Sequence, residues 1–446
     1  MRLNWFSPVP PTRSSIAHDT ATIMPALARR AEVVVWVHER NWTRTLEEHA
    51  EVRHYNPDAI PWREINAADV TVYHLGNEPN YHGAIWQVLR QHPGIVVLHD
   101  LNLQHFFAGS LSASRLSQTD YLRMMVSDHG AHGRELAEAY LAGTKTVDEI
   151  CDECPLTAAA IQNALRVVVH TTGGRAQVVG ASDRPVTYLP LFVPPNTLPG
   201  ITTSRAARAD ARRSSATPYH IIIFGFLGRN RRLASVLKAL HQFADRQRFH
   251  LEVYGSVTDE KLLRQMVADL DLKTLVTFHG FVDDTALDRA LAKSDLAVNL
   301  RDPTMGEASA SQLRIWQHAL PSLVTNIGWY ATLPDDTVAK VRREAEIEDI
   351  LEHLAAFLSE PERYHAIGEA GRAYVNEHHT IDHYLDGLLQ VVHETVNEQP
   401  REAVRWVAER AGRVMSPWFA EEDSELLLPG VAGAIDSMFN RKPSSR

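Results

Sequence analysis

Between residues 219 and 325 the chain alternates short apolar runs with amphipathic stretches, and few folds accommodate that rhythm. Ile221, Ile222, Ile223 and Phe224 form a run without a polar residue. Leu233, Val236, Leu237, Leu240 and Phe243 then recur at helical spacing. Further strands are expected at 251–254, 276–278, 296–300 and 322–325, with helices over about 259–270, 284–293 and from the 303–311 loop to Ala319. A strand buried on both faces reads as a continuous apolar run, and parallel neighbours need a helical crossover between them. The pattern therefore predicts an α/β, doubly wound parallel sheet.

The first half repeats the rhythm less regularly. Candidate strands lie at 3–6, 33–37, 70–74, 95–98, 167–171 and 186–189, with helices near 16–30 and 82–92 and a mostly helical insertion over 101–165. A proline-rich piece, 190–195, precedes a polar stretch carrying Arg205, Arg208, Arg212 and Arg213, which has the composition of a linker. The expected division is a first domain over 1–195, a linker over 196–218, a second domain over 219–378, and C-terminal helices and tail over 379–446. Two helices are expected within 361–398, an amphipathic piece near 401–413, an apolar one near 425–438, and no order over 441–446. No internal repeat stands out beyond the shared strand–helix rhythm.

Composition narrows the function classes. The net charge of −10 over 446 residues argues against a dedicated nucleic-acid binder, which would need a basic face. The linker arginines are too dispersed for a lipid-binding cluster and read as solvated charge. No apolar run approaches the ~18 residues of a membrane span, and the N-terminus reads as a first strand instead of a signal peptide. The two cysteines, Cys151 and Cys154, exclude a disulfide framework and fit a reducing compartment. Their CxxC spacing lacks the context of a redox motif or a complete zinc site, so a structural role is expected. A cytoplasmic location follows, with peripheral association at the inner face of a membrane left open.

Chemistry is sought at the carboxyl ends of the strands, where open α/β sheets bind ligands. The 303–311 loop (Pro-Thr-Met-Gly-Glu-Ala-Ser-Ala-Ser) sets Glu307 among small residues before a helix. A helix start attracts a diphosphate through its free N–H groups. Gly306, Ala308, Ser309 and Ser311 leave room for phosphate oxygens, and Glu307 can accept hydrogen bonds from sugar hydroxyls; an ordinary acidic cap is the alternative. After the 221–224 strand, a turn over 225–231 places Gly225 for close backbone approach and Arg231 for phosphate, with Arg229 or Arg232 nearby. In the first half, His99 and Asp100 follow an apolar strand, and His74 and Asn77 end another. Ser14 and Ser15 open a helix and offer another anion-binding end, or a plain N-cap.

These segments resemble the retaining glycosyltransferases of the GT-B fold, the large family 4 group (glycosyl transferases group 1), over about 1–395. The resemblance rests on the Phe224-Gly-Phe-Leu-Gly228 strand-turn, Phe278-His-Gly280, the Gly306–Glu307 loop with Leu313 and Pro321, the 325–334 segment and His99–Asp100. It implies two Rossmann-like domains facing across a cleft, C-terminal helices crossing back to the first domain, and transfer of a hexose from a nucleotide sugar to an acceptor with net retention. Glu307 and His99 would be the catalytic residues. Gly225, Arg231, Gly306, Ala308, Ser309, Ser311, Asp100, Ser15, His74 and Asn77 would bind substrate. No Asp-x-Asp metal loop follows a strand, so no cofactor and no metal is expected; Asp269-Leu-Asp271 reads as surface charge. The chain departs from the family pattern at Phe226, where an arginine is usual, and at Arg314, where a glutamate reaches the ribose. A catalytically silent partner subunit, a nucleotide-sugar 2-epimerase and a phosphorylase are the rival readings. Base, sugar, acceptor and oligomeric state are not encoded legibly.

Overall fold

A computed structural model describes residues 1–194 and 217–415, which fall into two units. The first comprises Met1–Val169, Arg175–Leu189 and Leu385–Arg446; the second comprises His170–Gly174 and Pro190–Tyr384. The linker arginines and the 425–438 and 441–446 segments lie outside the described residues.

In the first unit seven strands run parallel: β1 (Arg2–Phe6), β2 (Glu32–Val37), β3 (Glu51–His54), β4 (Val70–Leu75), β5 (Gly94–Leu98), β6 (Ala164–Val169) and β7 (Val186–Tyr188), in the order β3-β2-β1-β4-β5-β6-β7. The second unit has six: β8 (Tyr219–Leu227), β9 (Phe249–Val257), β10 (Val276–Gly280), β11 (Leu296–Val298), β12 (Ser322–Thr325) and β13 (Ala339–Val341), ordered β10-β9-β8-β11-β12-β13 and again parallel. The central strands are apolar throughout because helices cover both faces, as Leu3, Val72, Val96, Ile222 and Val298 illustrate, each at most 3% exposed. Both sheets reverse direction of winding once, between β1 and β4 and between β8 and β11. Loops leaving the carboxyl ends there diverge and open a crevice within each unit.

Two strands escape the apolar pattern. β3 (Glu-Val-Arg-His) and β13 (Ala-Lys-Val) are edge strands, short and partly charged, so neither offers a continuous apolar run. A third difference matters more for function. The expected turn at Gly225 is instead strand, and β8 and β9 pair through Gly225↔Gly255 to Leu227↔Val257. Gly225 (φ 109°) and Gly255 (φ 111°) make the same excursion opposite one another, so the ladder survives it. The turn proper begins at Gly228, followed by the Arg229–Arg231 single turn.

The 101–165 insertion contains the Gln104–Ser112, Gln118–Leu141, Val147–Ile150 and Thr157–Ile161 helices. Cys151 and Cys154 are buried, unpaired thiols there, and burial pushes each up to about 11, so both stay protonated at neutral pH. After the Pro361–His378 helix, the Ile381–Met415 helix counts with the first unit from Leu385 onward. Asp386 meets Arg30 at 2.6 Å, and Glu394 and Glu398 clasp Arg166 at 3.1 and 2.7 Å. No helix among the described residues is long and apolar enough to cross a membrane.

Candidate functional site

In the second unit, the β8 and β11 loops flank the crevice at the winding reversal. The β11 loop, 299–309, is folded by its own polar groups. Asn299 donates to Ser309 Oγ and to Gln312 Oε1 (3.3 and 3.0 Å), and Gln312 donates to Ser322 Oγ at 2.7 Å. All four side chains are buried, so the start of the Ala310–Gln317 helix is locked to β11 and β12. Ser309 is its N-cap, accepting from the Gln312 amide at 3.1 Å. The Ser-x-x-Gln spacing signals that cap in the sequence.

Glu307 does not cap the helix, which removes the alternative reading of it as an ordinary acidic cap; the buried Ser309 takes that place, its hydroxyl oxygen accepting from Gln312 N and the Asn299 side chain. Glu307 folds back into its loop: Oε2 accepts from Met305 N (2.7 Å) and Thr304 Oγ1 (2.9 Å), while Oε1 meets Arg301 Nε at 3.0 Å. Gly306, at φ 78°, lets the loop double back on Thr304, whose hydroxyl accepts from the Gly306 amide. Ala308 packs against the cluster around Leu313 and Trp316. Ser311, half-buried in the first turn of the helix, keeps its hydroxyl beside Gly225: a Cβ built on that glycine would lie 3.8 Å from Ser311 Oγ.

Arg231 is 2% exposed, and its guanidinium donates a hydrogen bond to the Phe224 carbonyl at 3.1 Å. Among the described residues no carboxylate lies within ion-pair distance of it, and its Nε has no hydrogen-bond partner. Burial first, and then the nearby Arg301 charge, push its pKa down to about 9, so it remains a cation at neutral pH. Beside it the Tyr330 hydroxyl is fully buried and also without a partner. Its neighbours in the turn are committed elsewhere: Arg229 to Asp259 at 2.8 Å, Arg232 to both Glu346 oxygens at 3.0 Å. Arg314 is likewise engaged, with Asp284 (2.6 Å) and Asp288 (2.9 Å) of the Asp284–Lys293 helix, and Asp288 also meets His318 at 3.0 Å. It ties two helices together. Phe226 is 74% exposed.

Sequence reasoning missed Arg301, Thr304 and Tyr330. Arg301 follows β11 directly, and its position at a strand end was the available signal.

The first-unit candidates form a separate group at the ends of β4 and β5. His74 Nδ1 and His99 Nε2 are 3.0 Å apart, and Trp5 lies against His74 with ring centroids 4.4 Å apart. His74 is buried and backs the half-buried His99. Asp100 accepts from the Asn77 amide at 2.8 Å, and the Asn77 side chain accepts from Phe106 N at 2.9 Å, so Asn77 anchors a helix start. Gly76 makes this packing possible, since a Cβ there would fall 2.9 Å from His82 Nε2 and 3.1 Å from Asp100 Oδ2. Ser15 is exposed at the start of the Ser15–Leu27 helix, whose N-cap Ser14 makes no capping hydrogen bond.

Residues 207–374 match the family model described as glycosyl transferases group 1. No curated protein matches the sequence. Several solved structures share the fold. The Anabaena protein HepE, solved with UDP and glucose, is 14% identical, and the match covers 88% of this chain and 100% of that one with a TM-score of 0.62. Sucrose-phosphate synthase from Thermosynechococcus elongatus is 14% identical over 88% of this chain and 98% of its own, TM-score 0.61. A glycosyltransferase from Rickettsia africae is 12% identical over 88% and 98%, TM-score 0.59. At these identities the likeness is one of architecture, GT-B.

Proposed function

For a chain of GT-B architecture whose residues 207–374 match the family model of the glycosyl transferases group 1, we propose hexosyl transfer from a nucleotide sugar to an acceptor, with net retention. The observation that carries this reading is Arg231: a buried cation with no carboxylate within ion-pair distance among the described residues, in the unit whose Ala310–Gln317 helix start is held in place by Asn299, Ser309 and Gln312. A nucleoside diphosphate leaving group is an anion that such a group stabilises as the glycosidic C–O bond breaks. The amides at the start of the Ala310–Gln317 helix and the Ser311 hydroxyl add hydrogen bonds to the phosphate oxygens. Glu307 accepts from donor-sugar hydroxyls and orients the anomeric carbon. His99, supported by His74, serves as a hydrogen-bond partner of sugar or acceptor and not as a general base. The acceptor hydroxyl attacks on the face from which the diphosphate departs, and its proton passes to a departing phosphate oxygen. Arginine supplies the positive charge at the phosphates, so the reaction is metal-independent in this reading. The structure of HepE with UDP and glucose supports a nucleotide-sugar site on this architecture.

A thermal-shift panel of UDP-, GDP- and dTDP-sugars tests the proposal, because a ligand bound only by the folded chain raises the melting temperature. One donor is expected to raise it, and that donor to be consumed when acceptors are supplied. Binding without transfer in any acceptor panel favours a silent partner subunit. Release of an epimerised sugar favours a 2-epimerase. No shift with any nucleotide sugar overturns the reading.

A further inference from the structure

We propose that Arg301 is a second cation for the donor diphosphate, and that Glu307 holds it as a latch which the anion opens. The proposal rests on the nucleotide-sugar reading of the same site. Arg301 extends from the carboxyl end of β11, its amide donating to Thr325 Oγ1 at the end of β12 (3.0 Å). Its side chain is 16% exposed, so solvent screens it weakly. It lies close enough to Arg231 for the two like charges to act on one another.

The arginines around this crevice fall into three kinds. Arg229, Arg232 and Arg343 sit on Asp259, Glu346 and Asp302, carboxylates outside the 304–311 segment. Arg231 has no carboxylate within ion-pair distance among the described residues, although the Glu307 charge acts on it. Arg301 alone is paired with the carboxylate assigned to the sugar.

The two Glu307 oxygens are held differently, and that difference makes the pair a latch. Oε2 is fixed by Met305 N and Thr304 Oγ1, groups of its own loop that stay when Arg301 leaves. Oε1 has an ionic contact with Arg301, whose Nε lies 3.0 Å away but outside hydrogen-bond geometry. A diphosphate bound at Arg231 carries more negative charge than one carboxylate and offers guanidinium the same bidentate geometry. It draws Arg301 from Glu307, and Oε1 is left aimed by a loop that has not moved, free to accept a sugar hydroxyl. Phosphate binding thereby creates the sugar acceptor, and the two arginines come to share one anion.

Binding of inorganic pyrophosphate and of UDP, GDP and dTDP, measured by calorimetry on the parent, Glu307→Gln, Arg301→Ala, Arg301→Lys and the Arg301→Ala/Glu307→Gln double variant, tests the latch. Glu307→Gln is expected to bind the nucleoside diphosphate severalfold more tightly than the parent while turning over the nucleotide sugar more slowly. Arg301→Ala is expected to bind at least tenfold more weakly, Arg301→Lys within a few-fold of the parent, and the double variant like Arg301→Ala. A gain from Glu307→Gln that persists without Arg301, or no gain at all, overturns the latch. Arg301→Ala binding like the parent, with an unchanged melting temperature, overturns the second cation. If Arg301→Ala does not fold, the lysine and Glu307→Gln variants decide alone. A parent that binds pyrophosphate and no nucleoside diphosphate removes the nucleotide reading and leaves the latch to be judged on pyrophosphate. A parent that binds neither overturns both.

Discussion

Arg231→Met should make the protein more stable and unable to bind a nucleoside diphosphate. The guanidinium is 2% exposed, and its environment lowers its pKa from 12.5 to about 9. At ~1.4 kcal/mol per tenfold change in the protonation equilibrium, holding the charge there costs the folded state up to ~5 kcal/mol. Methionine removes that cost and fills a similar elongated space with an adaptable side chain. It also strips the Phe224 carbonyl of its donor, which offsets ~1–3 kcal/mol of the gain. The expected balance is a stabilisation of ~2 kcal/mol, or ~4–8 °C in melting temperature for a unit of this size. Scanning calorimetry of parent and variant, with and without the nucleoside diphosphate, reads both effects: a higher baseline and no ligand-induced rise. A variant that melts below the parent would make Arg231 a structural tie, and one that still responds to the ligand would refute its role at the phosphate.

Two further outcomes follow from residues that set the frame. In Gly255→Ala the new Cβ would fall 2.0 Å from the Gly225 carbonyl oxygen on a backbone at φ 111°. Conformational strain of ~1–3 kcal/mol and a comparable overpacking cost predict a loss of ~2–6 kcal/mol in urea unfolding, with nucleotide affinity falling as β8 shifts; a loss below ~0.5 kcal/mol, the range of ordinary surface substitutions, would show that the paired glycines are dispensable. His82 is buried with Nδ1 3.0 Å from the His74 carbonyl, and burial pushes its pKa down to about 4. The unfolded chain takes up a proton near pH 6.5 that the folded one refuses until about 4, so this stability is complete above ~6.5 and is lost as pH falls toward ~4. Between pH 7 and 5 the parent should lose ~2 kcal/mol more than His82→Gln; parallel stability profiles would refute it.

How much of this was legible depended on where a residue's partners lie. Central strands announced themselves because burial on both faces demands an unbroken apolar run, whereas β3 and β13 are short edge strands interrupted by Glu51, Arg53, His54 and Lys340. The paired excursion at Gly225 and Gly255 read as a turn because either glycine alone would be one. Arg231 and the 303–311 loop stood out by residue type and position. Which arginines are engaged did not: Arg232 meets Glu346, 114 residues away, and Arg229 meets Asp259, 30 away. Arg314 holds Asp284 and Asp288, pairings that only the folded helices bring together.

The return of the Ile381–Met415 helix to the first unit also fixes an order of events during synthesis. The second unit is complete in sequence by Tyr384, whereas the first, though begun at Met1, waits for Asp386, Gly387, Glu394 and Glu398 to reach Arg30, Leu189 and Arg166. A ribosome adding ~5–20 residues per second leaves the first unit unfinished while the whole second unit emerges. The unit that starts first is the last to close, and a chain arrested shortly after Tyr384 would carry a complete second unit and an incomplete first.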